Sequence, residues 1–229
     1  MRVTLNGIVS ADEDKWIYEW FGYSAFSPQQ VRDAIANNPE GEELVLEINS
    51  PGGSVFAGSE MYSVLKACSL PTRAEIQSLA ASAASYLCLG CGTVAISPVA
   101  QMMIHLPSTC TDGDRVAHQR SLSMLDSTRE AILNAYELKA GGKSDRAQLR
   151  RMMSAETWLT AQEALDRGLV DEILGQDARS MSPGSLVNAF GLPDIDALRA
   201  AYQQAQQPQN RPEPDWRLAA RLELEKHRI

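Results

Sequence analysis

The sequence has no excess of basic residues, since 21 lysines and arginines stand against 29 aspartates and glutamates, for a formal net charge of −8. Nucleic acids and anionic membranes attract basic patches, so neither is expected as the main partner. The first fourteen residues lack the uninterrupted apolar segment that begins a secreted protein, which predicts a cytoplasmic location. A chain of 229 residues, 44% of them hydrophobic, suits one sizeable α/β domain plus an appendage.

The four cysteines lack the spacing of a disulfide framework, and in a cytoplasmic protein they are expected to be reduced thiols. Cys88 and Cys91 have the two-residue gap of a zinc half-site. No second half-site follows, and residues three apart share one face of a helix, so the pattern favours packing in the core. We therefore predict no metal site and no cofactor.

Charged residues are absent between Glu75 and His105. A membrane helix is one interpretation of so long an uncharged stretch, but Gly90, Gly92 and Pro98 interrupt it, and much of it is alanine and serine. A buried helix followed by two buried strands is the favoured interpretation. We therefore predict no membrane partner.

Strand and helix patterns alternate along the chain, which predicts an α/β fold with parallel strands joined by right-handed crossovers. Strands are predicted at 2–9, 44–48, 72–76, 93–96, 101–104 and 170–174. Helices are predicted from Ser27-Pro28 to about 37, from Val55, at 80–89, 114–139 and 145–153, and after a capping box at 160–163. The long helix at 114–139 carries an apolar stripe formed by Leu122, Leu125, Ile132 and Tyr136.

The chain beyond residue 175 is rich in glutamine and proline, apart from a helix-prone segment at 200–207. We predict one domain at 1–175 and a C-terminal extension at 176–229 that is partly helical or disordered. Docking on another protein, self-cleavage and a disordered extension all remain open as interpretations of 176–229.

Ser82 and His105 are the candidate catalytic pair. A serine hydroxyl becomes a nucleophile when a neighbouring base takes its proton, and histidine, with an unperturbed pKa of about 6.5, suits that task. Taken singly, Ser82 is explained as a small residue of a buried helix, and His105 as a structural histidine. Together they follow a glycine turn at 52–53, and backbone N–H groups at such a turn and at a helix start can bind an oxyanion.

Five segments in order resemble the proteolytic subunit of the Clp protease (ClpP), and the resemblance runs from about residue 1 to 174. They are INSPGG at 48–53, AAS at 80–82, MIH at 103–105, ETWLTAQEA at 156–164 and GLVD at 168–171. An aromatic opening with Trp16, Trp20, Phe21 and Gly22 is more similar to ClpP-related head-maturation (prohead) proteases of tailed phages and prophages. The order serine, histidine, acid also differs from that of α/β-hydrolases.

The resemblance implies a ClpP/crotonase-type fold with a parallel sheet of βα repeats, a long handle-like helix and a C-terminal tail. It implies a serine endopeptidase with Ser82 as nucleophile and His105 as general base. The backbone N–H groups of Gly53 and Ala83 would form the oxyanion hole. Substrates would bind extended, with their backbone paired to a strand beside Gly52 and Gly53.

The third member of the triad is where the sequence departs from the family. The usual aspartate aligns with Glu156, which is one methylene longer and can still orient an imidazole. Asp145, Asp166 and Asp171 are the fallback candidates, although surface or capping roles explain each of them. Ser78 also stands where the family usually has glycine.

The resemblance further implies a homo-oligomeric ring, a heptamer or stacked rings, that acts on protein or peptide substrates. The long helix would lie between rings, although packing on its own domain explains the apolar stripe equally well. We predict cleavage of phage capsid or scaffold proteins during head maturation, in the host cytoplasm or within the prohead.

Three alternatives remain open. A ClpP-like degradative subunit would work with an ATP-driven unfoldase and would need a flexible N-terminal segment, whereas a strand is predicted from residue 2. A catalytically inactive ring-forming assembly protein is supported by the substitution at Glu156, whereas the presence of Ser82 and His105 speaks against it. An acyl-CoA enzyme of the crotonase fold would not need the serine–histidine pair.

Overall fold

The computed structural model describes residues 1–175 and 195–206. Within these ranges the strands are β1 (Arg2–Val9), β2 (Ala25–Phe26), β3 (Leu44–Gly53), β4 (Thr72–Ala81), β5 (Thr93–Ile96), β6 (Gln101–Ile104), β7 (Thr157–Thr160) and β8 (Glu172–Ile173). The α-helices are α1 (Lys15–Trp20), α2 (Pro28–Asn37), α3 (Val55–Ala67), α4 (Ala83–Leu87), α5 (Arg115–Ala140), α6 (Arg146–Ser154), α7 (Ala161–Asp166) and α8 (Ile195–Gln206), and a 3₁₀ turn spans Cys88–Gly90.

The strands form one mostly parallel sheet. The main order is β2-β1-β3-β4-β5-β8, with every neighbouring pair parallel, while β6 pairs with β4 and the antiparallel β7 pairs with β6. Helices connect most of the parallel strands, as crossover connections require. The predicted α/β class with a long helix is confirmed.

One edge of strand β4 pairs first with β5 and then with β6, and this arrangement positions the site. Its first half pairs with β5 through 73–76, and its end pairs with β6, where Ala81 lies opposite Met103. Because β4 and β6 are parallel, they end at the same edge of the sheet. The residues that follow the two strands, Ser82 and His105, are therefore brought side by side.

The uncharged stretch forms much of the core. It folds into the end of β4, helix α4, the 3₁₀ turn and strands β5 and β6, and the free thiols Cys88 and Cys91 are buried there. Burial raises the pKa of the Cys91 thiol to about 12. In the described part of the chain, no helix is long and apolar enough to cross a bilayer.

The helix predicted at 80–89 starts later than the sequence indicates. Ala80 and Ala81 belong to β4, and α4 begins at Ala83. Alanine favours helices, but pairing of β4 with β3 and β6 outweighs that weak local preference. The shift places Ser82 at the junction of strand and helix instead of inside a helix.

Helix α5 begins after Asp114, whose side chain accepts from the Ala117 N–H, and ends at Gly141 in the left-handed conformation with φ 56°. Its predicted apolar stripe divides into two parts. Ile132 and Tyr136 are buried against their own domain, whereas Leu122 is 63% exposed. Packing within the domain therefore explains only the C-terminal half of the stripe.

Helix α8 of the C-terminal extension packs against α1. Leu198 is fully buried there, Arg199 forms an ion pair with Asp14, and Tyr202 contacts two tryptophans of α1 edge to face. The helix-prone segment predicted at 200–207 overlaps this helix. The rest of the extension lies outside the described residues, and the boundary at 175 stays a prediction.

A row of ion pairs crosses strands β1, β3, β4 and β8. Arg2 bonds Glu47 at 2.7 Å and Glu75 at 2.8 Å, while Arg73 bonds Glu75 at 2.9 Å and also Glu172. The burial of Glu75 by itself raises the pKa of its carboxyl. The hydrogen bonds from the two arginines outweigh that effect, so the pKa of Glu75 lies below its ordinary value.

Candidate active site

Ser82 has a strained backbone. Its φ of 53° and ψ of −124° lie in a region that side-chain-bearing residues seldom adopt, at a cost of about 1–3 kcal/mol. Hydrogen bonds hold it on both sides: its N–H donates to the Met103 carbonyl at 2.9 Å, and its carbonyl accepts from the Ser85 N–H at 3.0 Å. Strain of this kind persists only where surrounding contacts determine it.

His105 follows β6 and contacts Ser82 directly. Its Nε2 lies 2.7 Å from Ser82 Oγ, a hydrogen-bond distance. Burial lowers the pKa of His105 below its ordinary value, and the negative charge of Glu156 partly opposes the shift. The net effect favours the neutral imidazole, which is the form that can accept a proton.

Glu156 is brought beside His105 by the antiparallel pairing of β6 and β7. In that register Ile104 lies opposite Thr157, so the residue after Ile104 neighbours the residue before Thr157. Glu156 itself has a left-handed φ of 50°. Both side chains are described, and no hydrogen bond joins them; Glu156 acts on the imidazole through its charge.

The three fallback aspartates have other contacts. Asp145 caps α6 in a capping box, and Asp166 accepts from Gln162 on the same helix α7. Asp171 accepts from the Val94 N–H at 2.7 Å and pairs with Lys139. Asp145 therefore has the capping role that the sequence offered as its alternative explanation, and the other two aspartates have hydrogen-bond partners of their own.

The glycine pair at 52–53 lies within strand β3 and not in a turn. Gly52 and Gly53 pair with Ile8 and Val9 of β1, which extends the strand beyond its prediction. Gly52 has φ 96°, and a Cβ built on it would lie 2.6 Å from Ser82 Cβ. A Cβ on Gly53 would lie 2.2 Å from the Val9 carbonyl oxygen. Only glycine permits this approach of β3 to its neighbours.

The same approach brings β3 to the start of α4. The Cβ position of Gly52 is 3.0 Å from the Ala83 amide nitrogen. The backbone N–H groups assigned to an oxyanion hole, those of Gly53 and Ala83, thus belong to two segments that meet beside Ser82. Sequence reasoning paired them through the family resemblance, and the tertiary structure brings their segments together.

A small open pocket of about 10 Å³ lies next to the serine and histidine. Its lining comes from α3, α4, α5 and the loop after β6: Val55, Tyr86, Pro107, Ile132 and Tyr136, together with Ser82 and His105. Sequence reasoning did not find these lining residues, except that Tyr136 and Ile132 belong to the predicted apolar stripe.

The serine, the histidine and the nearby N–H groups form an arrangement suited to acyl transfer. The nucleophile and base are within hydrogen-bond reach, a carboxylate lies beside the base, and a pocket adjoins both. Among the described residues, no group of three or more histidine, cysteine, aspartate or glutamate side chains could hold a metal ion.

Comparison with known proteins gives a consistent result. The family model for Clp protease matches residues 33–177, a span that includes Ser82, His105 and Glu156. The ATP-dependent Clp protease proteolytic subunit 1 of Chlamydia abortus is 38% identical over 144 residues, which cover 60% of this chain and 72% of that protein. Subunit 2 of Thermobifida fusca is 34% identical over 162 residues, covering 65% and 79%. The resemblance to ClpP is confirmed, whereas the likeness to phage head-maturation proteases stays a prediction.

Proposed function

Since the chain belongs to the Clp protease family, we propose that it is a serine endopeptidase with Ser82 as nucleophile and His105 as general base. The observation that carries this proposal is the 2.7 Å contact between Ser82 Oγ and His105 Nε2, made by a serine at a strained strand-to-helix junction. A structural serine would not need such a backbone, and a structural histidine would not need the contact.

The reaction would proceed through an acyl-enzyme. Ser82 Oγ attacks the scissile carbonyl while its proton moves to His105 Nε2, and the N–H groups of Gly53 and Ala83 stabilise the oxyanion. The imidazolium then protonates the leaving amine as the peptide C–N bond breaks. Water, deprotonated by the same imidazole, hydrolyses the ester and restores the serine.

Glu156 is the proposed third member. Its negative charge favours the imidazolium that forms during attack, which is the role of the acid in such a triad. The three aspartates considered as alternatives are bound elsewhere, which supports Glu156 by elimination. The inactive assembly protein remains a competing proposal, and the labelling experiment below tests it.

The substrate is proposed to be an extended polypeptide beside Gly52 and Gly53. The small pocket beside Ser82 and His105, lined in part by Val55 and Tyr136, would lie next to the scissile bond. Leu122, in the N-terminal part of the predicted apolar stripe of α5, is exposed in one chain, which supports assembly of several copies into a ring.

The two relatives cited above are named as ATP-dependent proteolytic subunits, which supports a degradative role with an ATP-driven unfoldase. The alternative proposal, processing of capsid or scaffold proteins, rests on the resemblance of the aromatic segment around Trp16 and Trp20 to phage proteases. This segment packs against α8 of the C-terminal extension. Cleavage of an unfolded protein, but not of its folded form, without an ATPase would favour the degradative role. Cleavage of a folded scaffold protein without nucleotide would favour processing.

The proposal is tested by labelling the protein with a fluorophosphonate and reading the adduct by intact mass and peptide mapping. One adduct on Ser82, absent in Ser82→Ala and retained in the control Ser123→Ala on the exposed face of α5, is the expected result. A folded, assembled protein that forms no adduct would instead identify an inactive ring component.

A further inference from the structure

Two buried hydroxyl groups lie behind the serine–histidine pair. Ser85 on α4 is fully buried, and Tyr136 on α5 is 1% exposed. Their oxygens are 2.6 Å apart, and Ser85 Oγ is also 2.6 Å from the Ser82 carbonyl oxygen. The three groups form a continuous chain that connects helix α5 to the backbone of Ser82.

The direction of both hydrogen bonds follows from the number of protons. Ser85 has one hydroxyl proton, and the Ser82 carbonyl can only accept, so Ser85 must donate to it. Ser85 Oγ therefore accepts from Tyr136, which donates its phenolic proton. Tyr136 remains protonated because burial raises the pKa of its hydroxyl far above the ordinary value.

The carbonyl of Ser82 thus accepts two hydrogen bonds, one from the Ser85 N–H and one from the Ser85 hydroxyl. Helix α4 has only five residues, so its own hydrogen bonds restrain this carbonyl weakly. A displacement of about 1 Å at a reacting atom can cost about 10²-fold in rate. The orientation of this one peptide group therefore affects where Ser82 Oγ lies relative to His105.

We propose that Ser85 and Tyr136 are positioning residues that hold the strained backbone of Ser82 through its carbonyl and so keep Oγ in reach of His105. This inference rests on the proposed function, in which Ser82 is the nucleophile. Tyr136 acts through Ser85, and its ring also lines the pocket, which a phenylalanine would preserve.

The test measures the rate constant and the final amplitude of fluorophosphonate labelling in Ser85→Ala, Tyr136→Phe and the double variant. Loss of one neutral hydrogen bond predicts about a five-fold lower rate constant in each single variant, with full amplitude once the folded fraction is counted. Because Tyr136 acts through Ser85, the double variant should label no more slowly than Ser85→Ala alone. The control is Ser144→Ala, which removes another buried hydroxyl that donates to a carbonyl, that of Arg167.

Three outcomes would overturn the inference while leaving the proposed function intact. They are variants that label at the parent rate with reduced amplitude, effects that multiply in the double variant, and an equal slowing in Ser144→Ala. Each would show that the two hydroxyls stabilise the fold without positioning Ser82. A parent protein that does not label would overturn the proposed function, and this inference with it.

Discussion

Gly52 offers the sharpest test of whether the close approach of strand β3 to Ser82 shapes the site. In Gly52→Ala the new Cβ would lie 2.6 Å from Ser82 Cβ and 2.7 Å from the Ala81 carbonyl oxygen. Both distances are shorter than real Cβ contacts, and neither neighbour is the end of a flexible side chain. The overlap can be relieved only by moving β3 or the strained backbone of Ser82.

The expected loss of stability in Gly52→Ala has two parts. Placing alanine at φ 96° costs about 1–2 kcal/mol, because the left-handed region is unfavourable for a residue with a Cβ. The overlap with backbone adds about 1–3 kcal/mol, as over-packing does elsewhere. The free energy of unfolding of Gly52→Ala should therefore fall by about 2–5 kcal/mol. Displacement of Ser82 and of the proposed oxyanion donors should lower the labelling rate constant by about 10²–10³-fold.

Gly41→Ala is the matched control. Gly41 has φ 77°, and a Cβ built there would have no atom within 4 Å, so the variant has the conformational cost without the overlap. Urea unfolding should show a loss of about 1–2 kcal/mol for Gly41→Ala, and fluorophosphonate labelling should proceed at the parent rate. If Gly52→Ala lost no more stability than Gly41→Ala and labelled equally fast, the close packing of β3 against Ser82 would be refuted.

Three further predictions concern other parts of the molecule. Glu156→Gln should slow labelling by about 10- to 10³-fold; since the charge of Glu156 raises the pKa of His105, its removal should also move the acidic limb of the pH–rate profile to lower pH. Glu75→Gln should lower the free energy of unfolding at pH 7 by about 1–3 kcal/mol, and because the folded-state pKa of Glu75 is depressed, that difference should shrink as pH falls below about 4.3. Leu198→Ala should weaken docking of α8 by about 2–3 kcal/mol, measured as faster hydrogen exchange across 195–206 with unchanged labelling.

Each of these predictions can be contradicted. A pH–rate profile that stays in place in Glu156→Gln would remove Glu156 from the triad. For Glu75→Gln, a stability difference that is constant from pH 7 to pH 3 would show that its ion pairs contribute nothing in the folded state. Slower labelling in Leu198→Ala would show that α8 supports the site, contrary to the independence expected here. Leu138→Ala, at a 65% exposed leucine of α5, is the control for that experiment.

Most secondary structure was predictable because its signals are local. The strands at 93–96 and 101–104 have the predicted bounds, α2 ends where predicted, and the capping box at 160–163 opens α7 as expected. The errors occur where strand pairing competes with local preference. Strands β3 and β4 extend over segments predicted as turn and helix because neighbouring strands pair with them.

The candidate site residues were predicted from two different kinds of information. Ser82 and His105 could be chosen from residue type and position, and the family resemblance added Glu156, Gly53 and Ala83. Neither source indicated that Glu156 meets the imidazole without a hydrogen bond, since that depends on the register of β6 and β7.

The sequence by itself determined the α/β class, most of the longer helices and strands, and the family, because hydrophobic period, capping residues and motif spacing are read along the chain; α1, β2 and β7 were not predicted. The tertiary structure alone decided the strained backbone of Ser82, its 2.7 Å contact with His105 and the hydroxyl chain from Tyr136 through Ser85. The Ser82–His105 and Ser85–Tyr136 contacts join residues 23 and 51 positions apart. They depend on how helices and strands pack and on strand register, which no local pattern specifies.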